Sequence, residues 1–141
     1  MDRHRASRAR QLLRETEEAR RPHVETLVSS EALIPGSFVT LGRKCGKPTC
    51  RCAAGEKHYS KYLSRSEDGK TRLIYLPAGD EVEVADKAER YRRLREARAE
   101  LMKLSARTAE LADVLQDALT DPYPANKAAR KRSRKVKGPG D

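Results

Sequence analysis

The sequence predicts an α+β protein, and three observations carry that prediction. Residues 5–20 and 80–119 contain neither Gly nor Pro and are rich in Ala, Leu, Glu and Arg, the composition of helices. Between them lie three runs of β-forming residues punctuated by Gly, Pro and an Asp-Gly pair. One Phe, five Tyr and no Trp are spread over 141 residues of which 37% are charged, so the core is expected to be thin and to leave no room for a large enclosed substrate pocket. Four segments follow: an N-terminal helical segment over 1–34, a β module over 35–79, a long helix over 80–120 and a disordered basic tail over 121–141.

In the first segment Ala6, Ala9, Leu12, Leu13 and Ala19 recur at three-to-four spacing amid Arg and Glu, a narrow apolar helical stripe. Pro22 lacks an amide and disfavours helical geometry at Arg21. A kink or a restart is therefore expected there, with Val24, Leu27 and Val28 as a second stripe ending before Leu33-Ile34-Pro35-Gly36. Phe38–Leu41 read as a first strand, Tyr62–Arg65 as a second and Thr71–Leu76 as a third. Ser66-Glu67-Asp68-Gly69 between the last two is a hairpin signal, since Asp and Gly tolerate positive φ. The alternation Thr71, Leu73, Tyr75 against Arg72, Ile74, Leu76 is read with Tyr75 on the core side.

The long helix carries Leu94, Leu101, Thr108 and Leu115 seven apart, with Ala97, Leu104, Leu111 and Ala118 between them. This 3.5-residue repeat is expected to be a coiled-coil seam. Its partner is either the N-terminal helix folded back or a second copy of the chain. Asp121-Pro122-Tyr123-Pro124 ends the helix, and the basic residues beyond it have no apolar pattern to offset ordering entropy.

All three cysteines fall within eight residues, Cys45-Gly46-Lys47-Pro48-Thr49-Cys50-Arg51-Cys52, and His58 follows. An odd count in a chain with no secretion signal argues against disulfides and for a Cys₃His zinc shell at Cys45, Cys50, Cys52 and His58. Four protein ligands would close the shell and leave no position for a reactive water. No acid sits inside the motif, and Glu56, the nearest, is not read as catalytic. Redox chemistry is the alternative, because cations beside Cys50-Arg51-Cys52 could lower a thiol pKa. With zinc the expected fold is complete: an N-terminal helix, a small zinc-pinned antiparallel β-hairpin module, a long coiled-coil-like helix and a disordered basic tail.

The net charge of +10 is not evenly spread: it is +1 over 1–34, +6 over 35–79, −2 over 80–120 and +5 over 121–141. Localised excess is the footprint of a protein that binds polyanions. Its candidates are Arg43, Lys44, Lys47 and Arg51 around the cysteines, and Lys127, Arg130, Lys131, Arg132, Arg134, Lys135 and Lys137 in the tail. No apolar run approaches a membrane span, the first residues lack a signal-peptide core, and Glu15, Glu17 and Glu18 argue against a transit peptide. A cytoplasmic protein is expected.

Pro35-Gly36-Ser37, the run CGKPTCRC over 45–52, Gly55-Glu56-Lys57-His58, a Tyr-Leu strand and Tyr75-Leu76-Pro77 together resemble a bacterial family of unknown function, over about residues 33–105. The resemblance implies a zinc-binding module without established activity, often encoded near mobile-element genes, and it transfers no reaction. Where members of that family follow the histidine with Gly-Pro and paired aromatics, this chain has Tyr59-Ser60-Lys61-Tyr62.

These readings converge on a non-enzymatic zinc-stabilised nucleic-acid-binding protein, with DNA favoured over RNA, acting as an accessory factor in DNA transactions or mobile-element biology. Cations would hold phosphates, and Tyr59, Tyr62 or Tyr75 could stack on bases if they point outward. The alternative is an adaptor that binds a partner protein, or dimerises, through Leu94, Leu101, Leu104, Leu111 and Leu115.

Overall fold

The computed structural model describes residues 1–123, and the tail cations from Lys127 to Lys137 lie outside the described residues. The elements run α1 (Arg3–Val28), β1 (Ser37–Arg43), a 3₁₀ turn (Arg51–Ala54), β2 (His58–Glu67), β3 (Lys70–Tyr75) and α2 (Glu81–Leu119). This is the expected order of helix, small antiparallel sheet and long helix. No helix among the described residues is long and apolar enough to cross a membrane.

Asp2 begins α1 by accepting the Arg5 amide on its Oδ1 at 3.0 Å, a side-chain N-cap. The helix continues through Pro22 as one element of 26 residues, so of the kink or restart expected there the restart does not occur. Pro22 is exposed, and Thr26 Oγ1 donates to the Pro22 carbonyl at 3.0 Å. Ala6, Ala9, Leu13, Thr16, Arg20, His23 and Leu27, spaced alternately by three and four, are buried or half-buried, as are Leu12 and Thr26, while Ala19, expected in the stripe, is exposed. Glu81 and Glu83 occupy the first turn of α2, where acids meet the positive end of the helix dipole. Along α2 all eight positions of the sequence repeat, from Leu94 to Ala118, are buried or half-buried.

Two compact units divide the chain: Met1–Glu17 with the chain from Ala106 onward, and Glu18–Ser105. In the first, the Asp2 amide donates to the Ala118 carbonyl at 2.8 Å and Arg5 pairs with Asp117 at 3.7 Å, so the start of α1 meets the end of α2. The buried side chains there are Ala6, Ala9, Thr16, Leu111 and Ala118. Most are small, and small residues let helix backbones approach closely.

In the second unit the strands pair antiparallel in the order β1-β2-β3. The register places Phe38 opposite Leu63 and Leu63 opposite Ile74. That row forms the core with Leu76, Ala88, Ile34 and Val84, which means the first turns of α2 cover this face of the sheet. Burying Leu63 contributes about 1.5–3 kcal/mol. The Ile34 amide ties the segment before β1 to α2 by donating to the Lys87 carbonyl at 3.2 Å. In the β2–β3 turn Asp68 has φ 49° and Gly69 φ 77°, the two positive angles of the expected two-residue hairpin loop.

Gly36 enters β1 at φ +128°, and a Cβ there would stand 2.7 Å from the Ser64 carbonyl oxygen. Both strain and collision oppose a side chain. Gly36→Ala is expected to cost about 1–3 kcal/mol, read as a lower urea midpoint with an unchanged slope. A midpoint equal to that of the wild type would show that the entry to β1 relaxes freely.

Candidate metal centre and the surface around it

The chain between β1 and β2 has almost no apolar content, yet it returns on itself. Cys45 follows β1 at once, the Cys50 amide closes a turn onto the Lys47 carbonyl at 3.1 Å, Cys52 lies in the 3₁₀ turn, and His58 opens β2 opposite Arg43. The three sulfurs and one imidazole nitrogen of Cys45, Cys50, Cys52 and His58 all lie within 4.8 Å of one another. Cys45 Sγ stands 3.3 Å from Cys52 Sγ, and Cys50 Sγ stands 3.1 Å from His58 Nε2.

These separations are far beyond a disulfide of about 2.05 Å. They are shorter than the roughly 3.8 Å between ligand atoms around a tetrahedral ion with metal–sulfur bonds of about 2.3 Å, and the four atoms are close enough together to hold one. The Cys45 amide also donates to Cys52 Sγ at 3.3 Å, a contact that favours thiolate. The Lys47 backbone amide holds the Cys45 thiol down to about 6, with help from neighbouring sulfurs. For Cys52 the Cys45 amide acts in the same sense, but burial and the adjacent sulfurs outweigh it and push its thiol up. The sulfurs of Cys45 and Cys50 raise His58. So tight a group of sulfur and imidazole donors is close enough to hold a metal ion, and all four predicted ligands meet in it.

Cys52 is the anchor of the cluster at 1% exposure, whereas Cys45 and His58 are exposed. Around them Arg43, Lys44, Lys47 and Arg51 are all exposed. Arg43 turns back along the sheet and sets its guanidinium 5.6 Å from the centre of the Tyr62 ring.

The family model for a domain of unknown function, DUF6788, matches residues 9–86, more than half of the chain. The chain belongs to this family. The DUF6788 match starts further toward the N-terminus than the sequence resemblance and stops near the beginning of α2, so it takes in most of α1, the metal cluster and the whole sheet. No curated protein and no solved structure matches the chain.

Tyr75 stands where the sequence reading did not put it. It is 61% exposed on the face opposite Leu63 and Ile74, because α2 covers the Ile74 side. Tyr62, its cross-strand partner, meets it edge-on with ring centres 5.9 Å apart. Tyr59 is exposed too but belongs to the other face, where its ring lies over Gly42. A groove of about 640 Å³ between the sheet and α2 is lined by Ser37, Ser64, Arg65, Thr71, Tyr91 and Arg95 among others.

Proposed function

We propose that this DUF6788 protein is a non-enzymatic nucleic-acid-binding protein whose binding module is held together by zinc. Three thiolates and an imidazole are soft to borderline donors that suit Zn²⁺, and four of them close a structural shell. An accessory role in DNA transactions, including those of mobile elements, is the setting this reading favours, with DNA ahead of RNA as the partner.

The observation that carries it is where the cations are neutralised. On α2 five of the eight bases are ion-paired along the helix: Lys87 with Glu83, Arg92 with Glu89 and Glu96, Arg93 with Glu89, Lys103 with Glu100 and Arg107 with Glu110, while Arg90 and Arg95 meet the Ala32 carbonyl and Tyr91 instead. The Arg92 hydrogen bond holds Glu89 down to about 2, and with ten acids to eight bases over residues 80–120 this helix offers no excess of positive charge. Arg43, Lys44, Lys47 and Arg51 enter none of the ion pairs among the described residues. Unneutralised charge at one end of the sheet suits a phosphate backbone. The adaptor alternative needs a free seam on α2, and Leu111 is only 3% exposed with Leu94, Leu101, Leu104 and Leu115 half-buried.

The test is the salt dependence of binding. For duplex DNA log K falls with log salt by about 0.9 per phosphate neutralised. The double variant Lys47→Glu with Arg51→Glu is expected to weaken binding to all sequences and to flatten that slope by about 1.8, its zinc content unchanged. Deleting residues 125–141, which removes seven cations, is expected to flatten it by roughly 4.5 if about five of them touch phosphate. Absence of binding by the full chain at about 50 mM salt, where such contacts are strongest, would rule the reading out.

A further inference from the structure

The sheet has one covered face and one open one. The open face carries Val39, Leu41, Tyr62, Leu73 and Tyr75, by the alternation that sends Phe38, Leu63 and Ile74 to the core. Leu73 is 42% and Tyr75 61% exposed, more apolar and aromatic surface than a sheet ordinarily leaves to water. Hydroxyls surround these side chains, with Ser60, Ser64 and Ser66 from β2 and Thr71 from β3 on the same face. No carboxylate of the strands shares it, and Glu96 of α2 comes only to the groove at its Ser64–Thr71 end. Glu67, the one acid in the three strands, points to the other side and is held there by Arg65 and by Arg72, the latter at 3.0 Å.

Resting on the nucleic-acid reading above, we propose that this open face is a stacking platform for single-stranded nucleic acid, with Tyr75 and Tyr62 receiving bases and Arg43 and the zinc-loop cations holding the backbone. Charge selects the occupant: an exposed aromatic surface flanked at its metal end by unpaired cations, with no acid from the strands themselves, complements a polyanion that offers flat rings. Geometry selects its strandedness. Bases inside a duplex are hidden in their stack, so aromatic side chains on a sheet have nothing to grip there, whereas a single strand presents every base face. Arg43 joins the two functions, since its guanidinium lies over Tyr62 while its position opposite His58 sets it at the metal end of the sheet. From His58 to Ser66 the face runs about 27 Å along β2 at roughly 3.3 Å per residue, enough for several stacked nucleotides.

The experiment uses the full-length zinc-loaded protein, a labelled oligothymidylate of about 15 nucleotides and a duplex of the same length, with anisotropy recorded across salt. The single strand is expected to bind more tightly than the duplex. Tyr75→Ala should weaken it by about 5- to 150-fold, the range for losing one stacked base, with duplex binding and the salt slope unchanged. Because Tyr75 is exposed, folding should survive the change, and Tyr75→Phe should restore affinity. Equal affinity for both probes, with Tyr75→Ala inert, would overturn the platform and leave the nucleic-acid reading standing. No binding of either probe at about 50 mM salt would overturn both. If Tyr75→Ala instead abolishes self-association in sedimentation while single-strand affinity holds, the face pairs with a second copy and the proposal fails.

Discussion

Cys52→Ser is expected to empty the metal centre and unfold the β1–β2 connection. Cys52 is the buried ligand of the four, the acceptor of the Cys45 amide and the one side chain from residues 44–57 that is fully enclosed. Without the ion that stretch has nothing else to offset the entropy of ordering about 1–2 kcal/mol per residue. Structural zinc supplies about 10–16 kcal/mol to small modules of this kind, as much as the whole net stability of an ordinary domain. Elemental analysis should find one zinc per chain in the wild type and a small fraction of that in the variant, with loss of β signal and a collapsed melting transition. Cys45→Ser, at an exposed ligand, should be milder, and His58→Cys should keep the zinc as a four-thiolate shell. Under half an equivalent in the wild type, or an unchanged melting curve for Cys52→Ser, would sink the metal reading.

Leu111→Ala is expected to be the most damaging single truncation in the helical unit. Leu111 is 3% exposed and is the one large side chain among the buried residues there, the rest being Ala6, Ala9, Thr16 and Ala118. Alanine cannot be compensated by such small neighbours, so a cavity remains and about 2–5 kcal/mol is lost. Met102→Ala, at a position 59% exposed on the same helix, should stay within about 0.5 kcal/mol of the wild type. Should Leu111→Ala leave both melting and sedimentation untouched, the repeat along α2 is not what holds that unit together.

The repeat on α2 was legible because most of its positions are Leu or Ala, and burial follows it from Leu94 to Ala118. The matching run on α1 was not, since Thr16, Arg20 and His23 occupy inward positions that no hydropathy pattern marks. The restart allowed for at Pro22 failed for a related reason. The missing amide is one bond in a helix of 26 residues, and tertiary packing outweighs local propensity. β2 extends to His58 although Tyr59-Ser60-Lys61 lacks apolar alternation, because those residues pair with Thr40, Leu41 and Gly42. The ligand set was readable, as four donors with suitable chemistry sit within fourteen positions. Which face of β3 turns outward was not, for Leu73 and Tyr75 on one side rival Ile74 and Leu76 on the other, and only the docking of α2 decides.

Five of the buried apolar residues are already alanine: Ala6, Ala9, Ala88, Ala97 and Ala118. An alanine scan, the usual way to map a protein by mutation, would therefore pass in silence over five of its most enclosed positions. The same sites are intolerant in the other direction, since extra methylenes in a packed contact force its neighbours apart at a cost of about 1–3 kcal/mol. Sequence drift in this chain is thereby asymmetric. Exposed charges away from the metal end can change at little cost, while its smallest buried side chains are the least replaceable.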